Sequence, residues 1–254
     1  MNFIKIAAAL LVMLLLASCD TGYTGETDPQ NEVFNYKYPL KKGNEWEYLV
    51  KVQKTDFSND SVATSIGADS VSYFRLKENC ISDTDQTGNT GTYTIQRYTT
   101  SSTYTPQAID TTSYTAVTTE QYVNTYDGLY EVQYHGAILS PRWIVLKYNI
   151  YPGTEWLMRD QTVLGNGVYA KIRIKFEKFT DLNTSIGTLR TAEMKADALS
   201  DDTLWFSQYL NYSLKGMAKL KYCKKYNKFD QSNTQLIGTY NEIVTQELIR
   251  TNVK

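Results

Sequence analysis

The chain has one histidine, His135, and only three cysteines among its 254 residues. A structural zinc site needs four His or Cys ligands at short spacing, so zinc has no ligand set here. A nucleophilic triad needs a histidine with partners of fixed type, and no Gly-x-Ser-x-Gly, Ser-x-x-Lys or Gly-x-x-x-x-Gly-Lys run is present. The sequence therefore names no catalytic residue, no metal ligand and no cofactor. Charge of either sign is not in excess: 26 Lys and Arg face 27 Asp and Glu, for a formal net charge of −1. That balance argues against nucleic acid as a partner and gives no strong pull toward anionic lipid. After residue 18 there are no Leu-rich helical stretches. No apolar run there approaches the roughly eighteen residues that cross a bilayer as a helix.

Tyrosine is plentiful, at 21 residues against 8 Phe. Threonine is abundant as well, and both favour pleated, half-buried surfaces. The period along the chain is two. Trp46, Tyr48, Val50 and Val52 alternate with Glu47, Leu49 and Lys51. Val168, Ala170, Ile172, Ile174 and Phe176 alternate with Lys171, Arg173, Lys175 and Glu177. Ala192, Met194, Ala196 and Ala198 alternate with Glu193, Lys195 and Asp197, and Ala218, Leu220 and Tyr222 with Lys219, Lys221 and Cys223. Tyr130, Val132 and Tyr134 alternate with Glu131, Gln133 and His135, which places His135 toward solvent. Further strands are predicted at 69–77, 91–103, 112–123, 143–150, 203–211 and 235–250. Turn signals fall between them at Asn59-Asp60, Asp83 to Gly91, Asp127-Gly128, Gly165-Asn166-Gly167 and Asp201-Asp202. This is an all-β chain, a long antiparallel meander of about eleven strands. One-sided alternation requires it to curl into a half-barrel or fold into a two-layer sandwich.

A faint repeat runs through it. Tyr38-Pro39 before Gly43-Asn44-Glu45-Trp46 recurs as Tyr151-Pro152-Gly153-Thr154-Glu155-Trp156. It reads either as duplicated halves, 36–140 and 141–250, or as two unrelated entries from a turn into a strand.

The N-terminus carries an address. Lys5 is the only charge before residue 19, and Ile6 to Ala17 is unbroken and apolar. As a helix this run rises about 18 Å, short of the roughly 30 Å hydrocarbon core, which suits a signal helix better than a span. It ends in Leu16-Ala17-Ser18-Cys19, which resembles the lipobox of bacterial lipoproteins. The resemblance implies that residues 1–18 are a removed signal peptide and that Cys19 takes a diacylglycerol. It also implies a cell-envelope address, with the membrane as partner through that lipid; the outer membrane is expected over the inner, and the lipobox itself does not choose between them. Asp20 is similar to the inner-membrane retention signal of enteric bacteria, a rule that does not carry to other phyla. Several acyl chains hold firmly where one binds marginally. Residues 19–35 then form the lipidated Cys and a flexible tether, acidic and free of Lys and Arg, with a reach of about 20–24 Å. The domain proper is 36–254. A membrane-spanning barrel is excluded by the lipobox and by Lys and Arg on the polar strand faces.

Cys80 and Cys223 are left after Cys19. An envelope location permits a disulfide between them, two separate thiols are the other reading, and spacing does not decide. The pieces YPLKKGNEWEY, DGLYEV, GTEW and IGTLRTAEMK, with the stretch from Trp205 to Lys221, resemble uncharacterised envelope lipoproteins. That likeness implies a β-rich extracytoplasmic domain and carries over no catalytic residue. It departs at 213–217, where Gly216 stands alone instead of a Gly-x-Gly. Asp60-Ser61-Val62, Asp69-Ser70-Val71, Asp110-Thr111-Thr112 and Asp202-Thr203-Leu204 are similar to the O-glycosylation signal of Bacteroidota envelope proteins, which makes Ser61, Ser70, Thr111 and Thr203 candidate acceptors. Asp83-Thr84-Asp85-Gln86-Thr87-Gly88-Asn89 resembles the start of a calcium loop. Thr94 stands where its bidentate Glu belongs, so a hairpin loop is favoured.

Three functions are open. The first is a non-catalytic binding or scaffold module whose protein, glycan or lipid ligand is unknown, with Tyr and Trp as its surface. Trp46 and Trp156 belong rather to the core, while Trp143 and Trp205 remain available. The second is a carrier of lipid or another apolar ligand, by analogy with the half-barrel lipoprotein carriers (LolA/LolB-like). An unfilled apolar cavity would favour the carrier and a side-chain-filled sandwich the scaffold. The third is an envelope hydrolase, which needs two carboxylates facing across a cleft; Glu45, Glu47, Glu155, Asp160 and Asp201-Asp202 cannot be brought together from sequence. The chain is read as not an enzyme. Lys215, Lys219, Lys221, Lys224, Lys225 and Lys228 read as a solvated strand face, or as a site for an anionic glycan or headgroup.

Overall fold

The computed structural model describes residues 32–84, 91–163, 169–200, 203–230, 232 and 234–254. The signal peptide 1–18, Cys19, the first part of the tether, most of the calcium-like loop, and the Gly165-Asn166-Gly167 and Asp201-Asp202 turns lie outside the described residues.

Strands β1 (Glu45–Thr55), β2 (Val71–Asp83), β3 (Gly91–Thr99), β4 (Thr115–Asn124), β5 (Gly128–Tyr134) and β6 (Ala137–Lys147) form one meander. A second comprises β7 (Glu155–Val163), β8 (Tyr169–Thr184), β9 (Gly187–Ser200), β10 (Thr203–Ser213), β11 (Gly216–Phe229) and β12 (Leu236–Thr251). All lie in one antiparallel sheet of 12 strands, ordered β6-β5-β4-β3-β2-β1-β12-β11-β10-β9-β8-β7. β1 zips to β12 from Trp46–Thr251 to Thr55–Asn241, which joins the two meanders. The sheet curls into a nearly closed barrel whose open seam lies between β6 and β7.

The all-β meander expected from the alternation is therefore present, with twelve strands instead of about eleven. The unforeseen one is β7. Its register against β8 shifts between Leu157 and Arg159 and again between Arg159 and Thr162, and such bulges erase the period of two. The Asn59-Asp60 stretch, read as a turn, opens helix α1 (Asp60–Ile66). The Asn59 side chain accepts from Val62 N–H at 3.0 Å, an N-cap, and Val62 and Ile66 are buried.

The core occupies one end of the barrel. Trp46, Tyr48, Tyr93, Phe176, Leu146, Met194 and Leu248 are fully buried there. Residues 34–40 cross this end and close it. Phe34 N–H donates to the Ile150 carbonyl at 2.7 Å, and the Phe34 ring, 1% exposed, lies 6.0 Å from Phe176. Tyr38 packs 5.9 Å from Trp46 and 6.1 Å from Tyr212. The tether read as reaching residue 35 is thus already part of the folded domain by Phe34. Phe34, Tyr38 and Leu40 together bury the apolar surface that holds this segment down.

The two Trp-bearing turns repeat in three dimensions. Gly43 N–H donates to Cys80 O at 2.8 Å and Gly153 N–H to Phe176 O at 2.7 Å. Cys80 N–H in turn donates to Asn44 O, and Phe176 N–H to Thr154 O, both at 2.9 Å. Both glycines sit at a φ near +90° (89° and 90°), which few other residues adopt. Each turn delivers a buried Trp whose indole N–H finds a carbonyl: Trp46 to Lys215 O at 2.7 Å, Trp156 to Ile144 O at 3.0 Å. The two turns therefore enter β1 and β7 alike, the second of them in the connection that follows β6.

Candidate functional site

Beyond the packed end the barrel interior is not filled. A cavity of about 500 Å³ lies there, and its two walls differ in chemistry. One wall is apolar and belongs to β8, β9 and β10: Ile172, Ile174, Ala196, Ala198, Phe206 and Leu210. Register explains the empty space. Ala198 faces Ile172 and Ala196 faces Ile174 across β8 and β9, while Phe206 and Gln208 lie beyond them on β10. Two neighbouring inward positions on β9 carry only a methyl group, which leaves room above this wall even though both alanines are themselves buried.

The opposite wall is charged. Glu78 on β2, Arg97 on β3, Glu120 and Tyr122 on β4 and Glu131 on β5 all point inward. Arg97 Nε donates to Glu78 at 2.7 Å and its Nη1 to Glu120 at 2.5 Å. Tyr122 OH donates to the other oxygen of Glu120 at 2.7 Å, and Tyr48 OH lies 3.5 Å from Glu78. Glu120 is 0% exposed and Glu131 5%. Burial works against the Arg97 charge, yet Glu78, Tyr122 and Glu120 beside it outweigh burial and raise its pKa. Glu131 has no such cation to itself. Burial, then the nearby Glu120 charge, push its pKa up to about 7, against the partial pull of Arg97 and Arg159. Burial likewise raises the pKa of Tyr38, Tyr48, Tyr122 and Tyr212 around the cluster.

A groove of about 610 Å³ runs along the open seam between Ile138–Ile144 on β6 and Leu157–Asp160 on β7. The bond from Trp156 to Ile144 O ties the two edges at its closed end. Trp143, Met158 and Arg159 line both groove and cavity. The Arg159 guanidinium lies 4.4 Å from the Trp143 ring centre, a cation–π arrangement. Its Nε is buried without a hydrogen-bond partner.

The structure places the sequence candidates as follows. Cys80 and Cys223 are free thiols. Cys80 is buried on β2 and Cys223 exposed on the outer face of β11, with β1 and β12 between them, so the disulfide considered from sequence is not formed. Ser61 is exposed on α1, Ser70 is half-buried at the start of β2, Thr111 is exposed in the β3–β4 connection, and Thr203 opens β10. His135 is exposed at the cavity rim, edge-on to Tyr134 at 4.2 Å. Glu47 is held on the outer face by Arg75 at 2.6 Å and Tyr114 at 2.8 Å. The lysine series does not form one surface. Lys219 pairs outward with Glu247 at 2.6 Å, while Lys224 shares the face of Tyr222 and lies 4.9 Å from the Tyr226 ring centre.

Sequence reasoning missed Glu78, Arg97, Glu120, Tyr122 and Arg159, and it placed Glu131 on the wet face. The alternation at 130–135 fails because the register shifts between Gln121 and Tyr122 on one side and between Glu131 and Gln133 on the other. Glu131 itself shares the inward face of Leu129, two residues before it, and pairs with Tyr122 and Trp143 inside the barrel.

No protein-family model matches the chain, and no curated protein matches it. Among solved structures the chain is similar to a Bacteroides fragilis protein described as exported and as having a YmcC-like fold. That likeness has 12% identity and a TM-score of 0.43, over 87% of this chain and 100% of the other. A Parabacteroides distasonis protein described as a lipoprotein shares 12% identity at a TM-score of 0.43, again over 87% and 100%. A Vibrio parahaemolyticus domain described as an outer membrane lipoprotein-sorting protein shares 10% identity at a TM-score of 0.20, over 84% and 86%.

Proposed function

We propose that the chain is an envelope lipoprotein, anchored through Cys19 at the outer membrane, that binds a small apolar or amphipathic molecule inside its barrel and carries or presents it without chemical change. The observation that carries this reading is the cavity of about 500 Å³ walled by Ile172, Ile174, Ala196, Ala198, Phe206 and Leu210. Its size falls in the range of ordinary small-ligand sites, about 300–1,000 Å³. A hydrolase is supported less well, because Glu78 and Glu120 both spend their charge on Arg97 instead of facing each other across an open cleft.

The test is native mass spectrometry of the lipidated chain extracted from its host, compared with the denatured mass. A co-purifying apolar mass that leaves on denaturation is the expected result. The bare mass of the lipidated polypeptide in both states would overturn the reading.

A further inference from the structure

Among the described residues two guanidinium groups line the cavity, and they are treated differently. Arg97 is neutralised by two carboxylates in direct contact. Arg159 makes no ion pair among the described residues, and its Nε is enclosed without a partner. A guanidinium withdrawn from water and left incompletely bonded is destabilising, and the usual remedy is an anion that takes its donors. The bulges on β7 are what turn Arg159 inward, opposite Ile172 of the apolar wall. Its position is also particular: it stands where the open β6–β7 groove meets the interior cavity, over the Trp143 ring. A molecule entering through the seam would meet the cation first and the apolar wall behind it.

Resting on the cavity reading above, we infer that the ligand is a single-chain anionic amphiphile. Its carboxylate or phosphate monoester head pairs with Arg159 at the seam, and its chain lies along Ala196, Ala198 and Phe206. The shape of the space sets one chain rather than several, since the cavity is of ordinary small-ligand size. The order of the groups sets the orientation, with the head toward β6 and β7 and the tail toward β9 and β10. The guanidinium fork fits two oxygens of either head.

The experiment is photolabelling of the full lipidated chain in zwitterionic nanodiscs. Three probes share one long chain with a diazirine near its end: the free carboxylic acid, the alkyl phosphate and the methyl ester. Peptide mapping reads the site. The expected result is labelling within β9 and β10 by at least one anionic probe, about tenfold or more above the methyl ester. That factor corresponds to a charge-assisted hydrogen bond of about 1.4 kcal/mol or more. Arg159→Gln should bring the anionic probe down to the ester level, and Arg159→Lys should restore most of the difference. Whichever anionic probe labels names the head. Equal labelling of the wild-type chain by ester and acids would overturn the role of Arg159 while leaving the cavity as an apolar site, and this comparison does not depend on any variant folding. No labelling of the barrel by any of the three would overturn both.

Discussion

Replacing Glu131 by Gln should stabilise the protein above pH 7 and leave it unchanged near pH 4.5. Glu131 is buried among Glu120 and Tyr122 of β4, Trp143 of β6 and Arg159 of β7, with Arg97 on β3 and Tyr212 on β10 near enough to matter. Its folded pKa is raised to about 7 from 4.5. The folded chain therefore holds a proton there that the unfolded chain has already lost. Stability is fully present below about pH 4.5, falls as pH rises toward the folded pKa, and levels off above it. At about 1.4 kcal/mol per pH unit, charging Glu131 in the folded state costs about 3 kcal/mol at pH 8. Gln keeps the shape and never charges, so the variant should gain up to that amount at pH 8. In a domain of this size that is about 6–12 °C in Tm. Denaturant unfolding of both chains at half-unit steps from pH 4.5 to 8.5 reads the difference, because titrating groups remote from Glu131 cancel between them. A difference that stays flat with pH, or a variant less stable at pH 8, would show that Glu131 is charged and adequately paired, and would refute the reasoning.

Other outcomes follow from the same geometry. Arg97→Ala leaves Glu78 and Glu120 buried without their cation and should cost about 3–5 kcal/mol at neutral pH by denaturant unfolding; a loss below 1 kcal/mol would mean that water reaches these carboxylates. Gly216→Ala adds a methyl 2.6 Å from Trp46 Nε1 at a φ of +105°, and should lower stability by about 2–3 kcal/mol or more, against about 1 kcal/mol for the backbone strain alone at an open turn such as Gly136. Cys223 should react with a thiol reagent in the folded protein, while Cys80, buried and with its thiol pKa pushed up to about 11, should react only after unfolding. Protection of both thiols in the non-reduced, unfolded chain would instead reveal a bond between them.

The alternation of Trp46, Tyr48 and Val50, or of Ala192, Met194, Ala196 and Ala198, could be read from the sequence because each strand keeps its register over that length. Part of the cavity wall was in plain view there, as the neighbouring inward Ala196 and Ala198, although nothing local says that small inward residues will leave a gap rather than meet large ones opposite. The charged cluster was not legible. Its members come from four successive strands, and they meet because the sheet curls. Moreover, Glu131 lies on the inward face with Leu129, where its charge argues against placing it, and the register shift that follows it breaks the count toward Tyr134. Arg159 was hidden by the same device, lying between two register shifts on β7. Phe34 was assigned to the tether because its neighbours are polar; a single apolar residue in an acidic stretch gives no period to read.

The difference between the two walls follows the two meanders. β2 to β5 supply Glu78, Arg97, Glu120 and Glu131; β8 to β10 supply the isoleucines, alanines, Phe206 and Leu210. The two meanders each hold six strands and open on a similar turn and Trp, so strictly equivalent meanders would present like walls to each other and fill the centre alike. They do not, and the departure has an energetic direction. A buried charge network is commonly no more stable than well-packed apolar side chains in its place. A row of alanines forgoes the dispersion contacts that larger residues would make. Each half thus gives up stability in its own way, and the two concessions face one another across the same space. The join between halves is unequal as well: β1 and β12 are fully paired, while β6 and β7 part beyond Trp156 and leave Arg159 between groove and cavity. A scaffold that only had to stand folded would gain by closing the second seam and filling the centre. The amphipathic interior, the open seam and the unpaired cation at their meeting point are mutually consistent if the barrel is built around a guest.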